Sequence, residues 1–461
     1  METFAQDLSD FEVSADCSHL LLQYGEEISI RDAEKKVEGA DDRRPGRKSG
    51  FIDLGRIKIR LDPVKEWEQM FRETWRLMRD NYWRGDMRGV NWDAVYSRYS
   101  ALIPRISTRF ELSDLIREMQ GEMGTSHAYE MGGDYRTDTP YGIGSLGAEF
   151  ELKNGRYVIS DIYVGDPAND GEKSPLLSPG VDASKGDVLV SIDGIELTPG
   201  RAPQSVLENR ADDVVNIILM RNGKKKEFTV RALRNEKRLI YRTWVERNRN
   251  YVHDRTDGKV GYLHIPDMGP NGFAEFHRIY RLEVEREALI VDLRYNSGGH
   301  VSALLLEKLA RKRIGYDRPR RGVPVPYPPD SVKGPMVAIT NENAGSDGDI
   351  FSHGFKLFNL GPLIGTRTWG GVIGINPRLR LVDGTTVTQP QYAFWFKDVG
   401  WSVENYGTDP TIEVEISPQD YRAGVDTQLE LALKEISSLM EGKEGILQAP
   451  EIEELKSASS R

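Results

Sequence analysis

The sequence predicts a multidomain protein of mixed α+β and α/β class, and three regularities in the order of its residues predict it. Apolar residues recur at steps of three and four over residues 62–122, which is typical of amphipathic helices. Strand-like segments separated by turn residues fill residues 141–235, and strands alternate with helices over residues 258–430. We therefore expect a helical subdomain, a small β-rich domain and a βα subdomain with a mostly parallel sheet, because 461 residues are too many for one core.

The composition indicates a mildly acidic globular protein and argues against several classes of partner. The 62 basic and 72 acidic residues give no net positive charge with which to bind nucleic acid. Cys17 is the one cysteine, so no internal disulfide can form, and a reducing, cytoplasmic location is expected. The first residues lack a basic region followed by an apolar run, and no apolar stretch approaches the ~20 residues that span a bilayer. We expect no signal peptide, no membrane association, no cofactor and no metal.

The first 34 residues are predicted to form short β-strands. Apolar and polar residues alternate over residues 11–31, with turn residues between the alternating runs. Because two or three strands are marginally stable alone in water, this segment is expected to be the end of a larger β structure or an annex to another part. Residues 35–60 are predicted to be a solvated linker, because their first part is charged and contains Gly and Pro.

Residues 61–140 are predicted to form the helical subdomain. Its last helix is expected to be capped by Thr108 or Ser113 and to end at residues 121–124, directly before Ser126 and His127. The apolar positions that define the helical period are Trp67, Met70, Phe71, Trp75, Met78, Leu112, Leu115, Ile116 and Met119.

Residues 141–235 are predicted to form the β-rich domain. Its first two strands begin near Ala148 and Tyr157, where apolar and β-branched residues cluster. The further expected elements are strands within residues 186–194, 214–220 and 227–231 and a helix at residues 203–209.

Residues 236–430 are predicted to form the βα subdomain, and residues 431–461 the rest of a C-terminal helix and a polar, mobile tail. Active sites of open α/β folds lie at the carboxyl ends of the strands, where the turns at residues 292–299 and 341–348 are expected. The candidate buried strands are residues 260–265, 288–293, 337–340 and 363–365, and the candidate helices are residues 273–282, 302–311, 347–358 and 428–440.

Ser346 admits two interpretations at the start of a predicted helix. With Asp349 three residues later it resembles a capping box, in which the serine side chain is a helix cap. A nucleophilic serine also benefits from this place, because the free N–H groups and the positive end of the helix dipole stabilise a developing oxyanion. The glycines of the turn at residues 294–299 would similarly bring backbone N–H groups close to a ligand, or serve only to turn the chain.

His127 stands out among the seven histidines because it follows Ser126 at a helix end that is rich in glycine. Histidine supplies a general base near neutral pH without any shift of its pKa. A structural histidine is the alternative at this stage, as it is for the other six.

The β-rich domain resembles a PDZ domain of the circularly permuted bacterial type. Residues 144–148, Gly-Ser-Leu-Gly-Ala, occupy the place of its carboxylate-binding loop, and residues 186–194 match its most recognisable segment. PDZ domains bind extended peptides at a sheet edge, so peptide binding is one expectation, and a spacer without a ligand is the other.

Two turns extend the resemblance to the tail-specific, or C-terminal processing, proteases. They read Asp-Leu-Arg-x-Asn-x-Gly-Gly at residues 292–299 and Asn-x-x-Ser at residues 343–346. Most of those enzymes use a Ser–Lys dyad, with the lysine in a Thr-Phe-Gly-Lys-Gly-like segment that here reads Thr-Trp-Gly-Gly-Val at residues 368–372. The lysine is missing, and the nearby Lys356, ten residues after Ser346 within the helix, is poorly placed to replace it.

Three further segments resemble the tricorn protease branch of that superfamily, and the resemblance covers nearly the whole chain in the same order. They are Thr-Ser-His-Ala at residues 125–128, Ala-Gly-Ser-Asp at residues 344–347 and Gly-Trp-Ser-Val-Glu-Asn at residues 400–405. The resemblance implies that the N-terminal strands are the last piece of a β-propeller. It also implies a homo-oligomer, a hexamer in the family, that cleaves oligopeptides such as proteasome products, with aminopeptidases acting downstream.

The resemblance implies a catalytic tetrad. Ser346 would attack the scissile carbonyl and His127 would accept its proton, while Ser126 and Glu404 would replace the aspartate of a Ser–His–Asp triad. Glu404 would otherwise be an ordinary surface residue on an edge strand. The oxyanion donors implied by the family are the backbone N–H groups of Gly299 and Asp347.

Asp317 corresponds to the acidic specificity residue of the family. A carboxylate in the S1 pocket would favour Lys or Arg before the cleaved bond. From the residues alone, an ion pair with Arg318 or Arg320 at the surface is an equal alternative. The predicted function is therefore a serine endopeptidase with a preference for basic P1 residues; a catalytically silent PDZ–protease scaffold and a Ser–Lys processing protease are the alternatives.

Overall fold

The computed structural model describes residues 5–34, 43–135, 142–166, 172–441 and 448–449. Part of the predicted linker, residues 35–42, and nearly all of the predicted polar tail lie outside these ranges. The described residues divide between Gln69 and Met70 into two compact units. The candidate active site lies in the second unit, which begins at Met70.

The first unit contains a three-stranded antiparallel sheet in the order β1-β2-β3, as the alternating pattern predicts. Its strands are β1 (Asp10–Val13), β2 (His19–Tyr24) and β3 (Glu27–Asp32). Leu22 is buried on β2, and an isolated bridge joins Ser29 of β3 to Phe51. The origin of this sheet as a propeller remnant stays a prediction.

The predicted helices and their cap are confirmed. They are α1 (Pro63–Asn81), α2 (Trp92–Ser100) and α3 (Arg109–Gly121), and the short strand β4 (Glu130–Met131) follows them. Thr108 and Glu111 form a reciprocal capping box at the start of α3. Ser113, the other candidate cap, is buried within the helix, where its hydroxyl donates to Glu130.

The β-rich domain is an antiparallel sheet in the order β10-β9-β7-β6-β5, with β8 paired to β7. Leu146, Ile159, Leu189 and Ile217 lie in its buried core. Its elements are β5 (Ala148–Lys153), β6 (Arg156–Ile162), β7 (Val188–Ile192), β8 (Ile195–Glu196), α4 (Pro203–Val206), β9 (Val214–Arg221) and β10 (Lys224–Arg231).

The βα subdomain is built on a parallel sheet of five strands, which confirms the predicted fold class. The sheet order is β11-β12-β15-β16-β20. The elements are α5 (Lys237–Arg255), β11 (Val260–His264), α6 (Pro270–Glu283), β12 (Ala288–Asp292), α7 (Ser302–Leu309), β13 (Gly315–Asp317), β14 (Val325–Tyr327), β15 (Met336–Thr340), α8 (Asp347–Leu357), β16 (Leu363–Gly365), β17 (Gly374–Ile375), β18 (Thr386–Val387), β19 (Pro390–Tyr392), β20 (Ile412–Glu413), α9 (Pro418–Ala423) and α10 (Thr427–Glu441).

Helices cover both faces of this sheet, and every residue of β11, β12 and β15 is buried. Leu289 and Val291 of β12 pack in one cluster with residues of α6, α7 and α8. Ala288 and Ile290 point the other way and pack with residues of α5 and α10. No helix in the described ranges is both long and apolar enough to cross a membrane.

Candidate active site

The two turns predicted to carry the chemistry lie side by side, because β12 and β15 are neighbours and parallel. The backbone N–H of Gly345 donates to the carbonyl oxygen of Asn296 at 2.9 Å. The side-chain oxygen of Asn341 accepts from the backbone N–H of Tyr295 at 3.0 Å. These hydrogen bonds fix the turn after β12 against the turn after β15.

A buried ion pair stabilises the turn that follows β12. The guanidinium of Arg294 donates to Asp292 at 2.7 Å and to Asp426, before α10, at 2.8 Å. Asp292 also accepts from the hydroxyl of Tyr262 at 2.8 Å. Burial alone would raise the pKa of the Asp292 carboxyl, but the Arg294 guanidinium lowers it below its ordinary value, so the carboxylate stays charged.

Ser346 does not act as a side-chain cap of α8, so the capping-box interpretation of Ser346 and Asp349 is wrong. Ser346 occupies the N-cap position with φ +56° and ψ −119°, and its side chain makes no capping hydrogen bond. A positive φ is a strained backbone conformation for serine, and such strain clusters at functional sites. A Cβ atom on Gly298 would lie 2.5 Å from the Cβ atom of Ser346, so glycine is required at position 298 to make room.

Ser346 and His127 line one cleft of about 270 Å³, although 219 positions separate them in the chain. Gly299 and Asp347, the two predicted oxyanion donors, line the same cleft. The other lining residues are His300, Ser302, Ala303, Ile350, Val372, Ile373, Gly374, Ile375, Tyr392 and Phe394.

His127 is held firmly at the wall of this cleft. Its side chain is buried, and its ring packs edge-on against the rings of Tyr129 and Trp369, each with centroids 5.5 Å away. Its backbone has φ +61°, and its carbonyl oxygen accepts from the hydroxyl of Thr388 at 2.5 Å. Burial lowers the pKa of His127 below its ordinary value, and the charge of Glu404 offsets part of this effect.

Glu404, Ser126 and His127 form a continuous hydrogen-bonded chain. One carboxylate oxygen of Glu404 accepts from the Ser126 hydroxyl at 2.9 Å, and the other accepts from the Ser126 backbone N–H at 2.8 Å. The Ser126 hydroxyl lies 2.9 Å from Nδ1 of His127. Because a hydroxyl has one proton and it points to the carboxylate, the Ser126 oxygen must accept from Nδ1–H. This tautomer leaves Nε2 of His127 free to accept a proton.

The Glu404 carboxylate also accepts two backbone N–H donors from the loop after β16. They are the N–H groups of Val372, at 2.8 Å, and Ile373, at 3.2 Å, and both donate to the carboxylate oxygen that also accepts from the Ser126 hydroxyl. The carboxylate is therefore fixed in position between the segment that carries His127 and the loop after β16.

Gly299 and Asp347 each present a backbone N–H without an acceptor among the described residues. At the bridge between Gly299 and Met268, the hydrogen bonds use the carbonyl of Gly298 and the N–H of His300, so the N–H of Gly299 is not used. Asp347 is the first residue of α8, where N–H groups have no intrahelical acceptor. Its carboxylate is occupied separately, by the backbone N–H of Ser302 at 2.9 Å.

The structure thus brings six of the seven predicted site residues together, and Asp317 is the exception. Asp317 is exposed at the end of β13, in a hairpin with β14, and it does not line the cleft within the described part of the chain. Lys356, the candidate base of a Ser–Lys mechanism, donates from Nζ to the carbonyl oxygen of Asp409 at 2.7 Å. Its ammonium group is therefore bound away from Ser346, which argues against that mechanism.

Sequence reasoning missed Asp349 as a buried acid beside the site. Its carboxylate accepts from the hydroxyl of Thr368 and, at 2.8 Å, from the backbone N–H of Gly370, and so fixes the loop that places Trp369 against His127. Burial raises the pKa of Asp349 to about 6. Its spacing from Ser346 suggested only a helix cap. The one sequence feature that could have indicated a buried Asp349 is the apolar face of the helix that follows it.

Replacing Asp349 by asparagine should change how stability depends on pH. Because the pKa of Asp349 is raised from 3.8 to about 6, the folded protein keeps a proton in this window that the unfolded chain has lost. The contribution of Asp349 to stability therefore falls as the pH rises from about 4 to about 6, by roughly 3 kcal/mol. The melting temperature of Asp349→Asn, relative to wild type, should rise across this window in calorimetric scans. Parallel curves of melting temperature against pH for the two proteins would contradict the raised pKa of Asp349.

Comparison with known proteins identifies three successive domains. Residues 63–121 match the tricorn protease C1 domain, residues 144–235 the tricorn protease PDZ domain and residues 259–414 peptidase family S41. A tricorn protease homolog of Saccharolobus solfataricus is 52% identical over 441 residues, which cover 94% of this chain and 41% of the relative. The tricorn protease of Thermoplasma volcanium is 45% identical over 443 residues, which cover 95% and 42%.

A solved structure shows the same arrangement of domains. The crystal structure of the tricorn protease superposes with a TM-score of 0.87 at 43% identity, and the match covers 95% of this chain and 42% of that chain. The chain thus spans less than half the length of these relatives.

Proposed function

The chain belongs to the tricorn protease family, and on this premise we propose that it is a serine endopeptidase that cleaves oligopeptides. The observation that carries the proposal is the hydrogen-bonded chain from Glu404 through Ser126 to His127, beside the cleft that His127 shares with Ser346. Such a chain does for histidine what the aspartate does in a Ser–His–Asp triad: it fixes the tautomer and stabilises the imidazolium.

The proposed reaction begins when Nε2 of His127 accepts the proton of the Ser346 hydroxyl and Oγ attacks the carbonyl carbon of the substrate. The tetrahedral oxyanion accepts hydrogen bonds from the backbone N–H groups of Gly299 and Asp347. Collapse of this intermediate breaks the C–N bond, and the imidazolium of His127 gives its proton to the leaving amine. A water molecule then repeats the sequence on the acyl-enzyme and releases the acid.

Covalent labelling of Ser346 by a fluorophosphonate is the direct test. The reagent requires an activated serine, so labelling is expected at Ser346 in wild type and not in Ser346→Ala. A peptide library incubated with both proteins then gives the cleavage sites that depend on Ser346. A protein that neither reacts nor cleaves would be the catalytically silent scaffold, which contradicts the proposal.

A second copy of the chain is proposed to complete the S1 pocket with Asp317. The hairpin of β13 and β14 carries exposed apolar side chains that a single copy leaves in solvent: Ile314, Val323, Val325 and Tyr327. Exposed apolar side chains that lie together on one hairpin favour burial against another protein surface. A hairpin seated on the next subunit would carry Asp317 with it, in keeping with the oligomer that the family resemblance implies.

Asp317→Ala should depress cleavage after Lys and Arg by on the order of 100-fold and affect apolar P1 substrates less, because an S1 carboxylate pairs with a basic side chain. The rates are measured on matched peptides that differ only at P1.

A subunit-exchange experiment tests the shared pocket. When Ser346→Ala and Asp317→Ala proteins are mixed and allowed to exchange subunits, cleavage of a Lys-P1 peptide should be restored, since hybrid sites then contain both Ser346 and Asp317. Unchanged Lys preference in Asp317→Ala would remove this residue from the site, and no recovery despite exchange would exclude the shared pocket.

A further inference from the structure

A second pocket, of about 400 Å³, adjoins the catalytic cleft on the side of Glu404. Ile373 and Phe394 line both the cleft and this pocket, so the two spaces are adjacent at these side chains. The outer walls are the rings of Trp83 and Trp401, whose centroids lie 5.3 Å apart. We refer to this space as the tryptophan pocket. A peptide held with its scissile bond at Ser346 therefore has an apolar space within reach of a neighbouring residue.

Three charged residues line the tryptophan pocket, and each already has a hydrogen-bond partner; that of Arg88 is the backbone carbonyl oxygen of Gly124, at 3.3 Å. Glu404 accepts from Ser126, Val372 and Ile373, as described above. Arg84 lies over the ring of Trp83, 5.8 Å from its centroid, and is paired with Asp86 at 2.9 Å. A charged ligand would have to compete with these contacts, so the chemistry of the walls favours an apolar occupant.

Trp401 gives a second indication of an occupant. Its side chain is 52% exposed, although it is among the largest apolar side chains of the protein. An aromatic or long aliphatic side chain that enters the pocket would cover it and stack against it, which releases water from both surfaces. Trp395, six residues earlier, is exposed to a similar extent, at 58%, but lines neither the pocket nor the cleft in the described part of the chain.

We propose that the tryptophan pocket is a specificity subsite, which binds a large apolar side chain, preferentially aromatic, of the substrate peptide at a residue near the scissile bond. The proposal rests on the proposed peptidase function and adds a second determinant to it, independent of Asp317. It makes Trp83 and Trp401 specificity residues that never touch the reacting atoms.

The test uses peptides that share one cleavage site and carry alanine or phenylalanine at each flanking position in turn. At one position phenylalanine should raise kcat/KM by about 10-fold or more over alanine, the range that an apolar pocket can discriminate. Trp401→Ala should bring this ratio close to one, and Ala393→Phe, which fills the pocket from its wall, should do the same. Trp395→Ala is the matched control and should keep the wild-type ratio. Equal ratios in wild type and in both pocket variants would overturn the proposal.

Binding to Ser346→Ala protein separates this proposal from the peptidase assignment. The phenylalanine peptide should bind more tightly than its alanine counterpart by a similar factor in calorimetric titrations, and adding Trp401→Ala should remove the difference. If wild type cleaves the peptides without any preference at these positions, the subsite is refuted and the peptidase stands. If no peptide is cleaved but the binding difference appears, the peptidase assignment fails and the pocket stands; if the peptides bind equally, the pocket fails.

Discussion

Replacing Ser346 or His127 by alanine should abolish peptide hydrolysis while the fold is retained. Ser346 supplies the attacking oxygen, and His127 is the one titratable base in the described part of the cleft that its surroundings hold in the required tautomer. Both side chains face the cleft, so their truncation leaves the packed sheet untouched. We expect kcat to fall by about 10⁵–10⁶-fold, the usual size of such losses.

The two residues act as one unit, so the double variant should be little slower than either single variant. Rates are measured on one peptide, with circular dichroism and melting temperature as controls for folding. Losses that add in the double variant would show that the two residues contribute independently, and substantial activity in either single variant would contradict the assignment.

Glu404→Gln should lower kcat by about 10²–10⁴-fold, less than the loss of His127, because Glu404 acts on the base through Ser126. The glutamine side chain has the same shape as the carboxylate, but its N–H₂ group replaces an oxygen that accepts hydrogen bonds. At that position N–H or O–H donors of the protein would face another donor. The Ser126 hydroxyl then loses its anionic acceptor, and the preferred tautomer of His127 is no longer fixed.

The pH profile distinguishes this positioning role from a loss of structure. Activity requires neutral His127, so kcat/KM rises with pH through the pKa of this residue. The charge of Glu404 raises that pKa, against the lowering by burial, so its removal should move the acidic limb of the profile to lower pH. A Gln variant with wild-type activity would reduce the tetrad to a dyad, and a slower enzyme with an unmoved acidic limb would make Glu404 purely structural.

The fold could be predicted from local patterns because its elements are strongly periodic. The buried strand β12 is predicted from its apolar run, and Thr108 is one of two residues predicted to cap α3. The capping-box interpretation of Ser346 failed, because the spacing of Ser and Asp cannot reveal the positive φ of Ser346 or the absence of a side-chain cap. A serine with an aspartate three residues later is compatible both with a helix cap and with a strained catalytic serine, so the sequence alone does not distinguish them.

The candidate site could be assembled in advance only through family resemblance. No local signal links Glu404 to Ser126, or Thr388 to His127, because each pair is separated by more than 250 positions and is joined by tertiary packing. The backbone N–H groups of Val372 and Ile373 carry no side-chain signature at all. Asp317 marks the further limit, since its proposed role requires a second copy of the chain.

The hydrogen bonds of Glu404 have a consequence for the assembly of the enzyme. They join the segment that holds the base to the loop after β16, in the half of the chain that holds the nucleophile, while the PDZ domain lies between the two in sequence. Neither half alone contains both a proton acceptor and an attacking oxygen. Two fragments divided within the PDZ domain would each be inactive. Peptide hydrolysis after they are mixed would therefore measure directly whether the two halves have associated correctly.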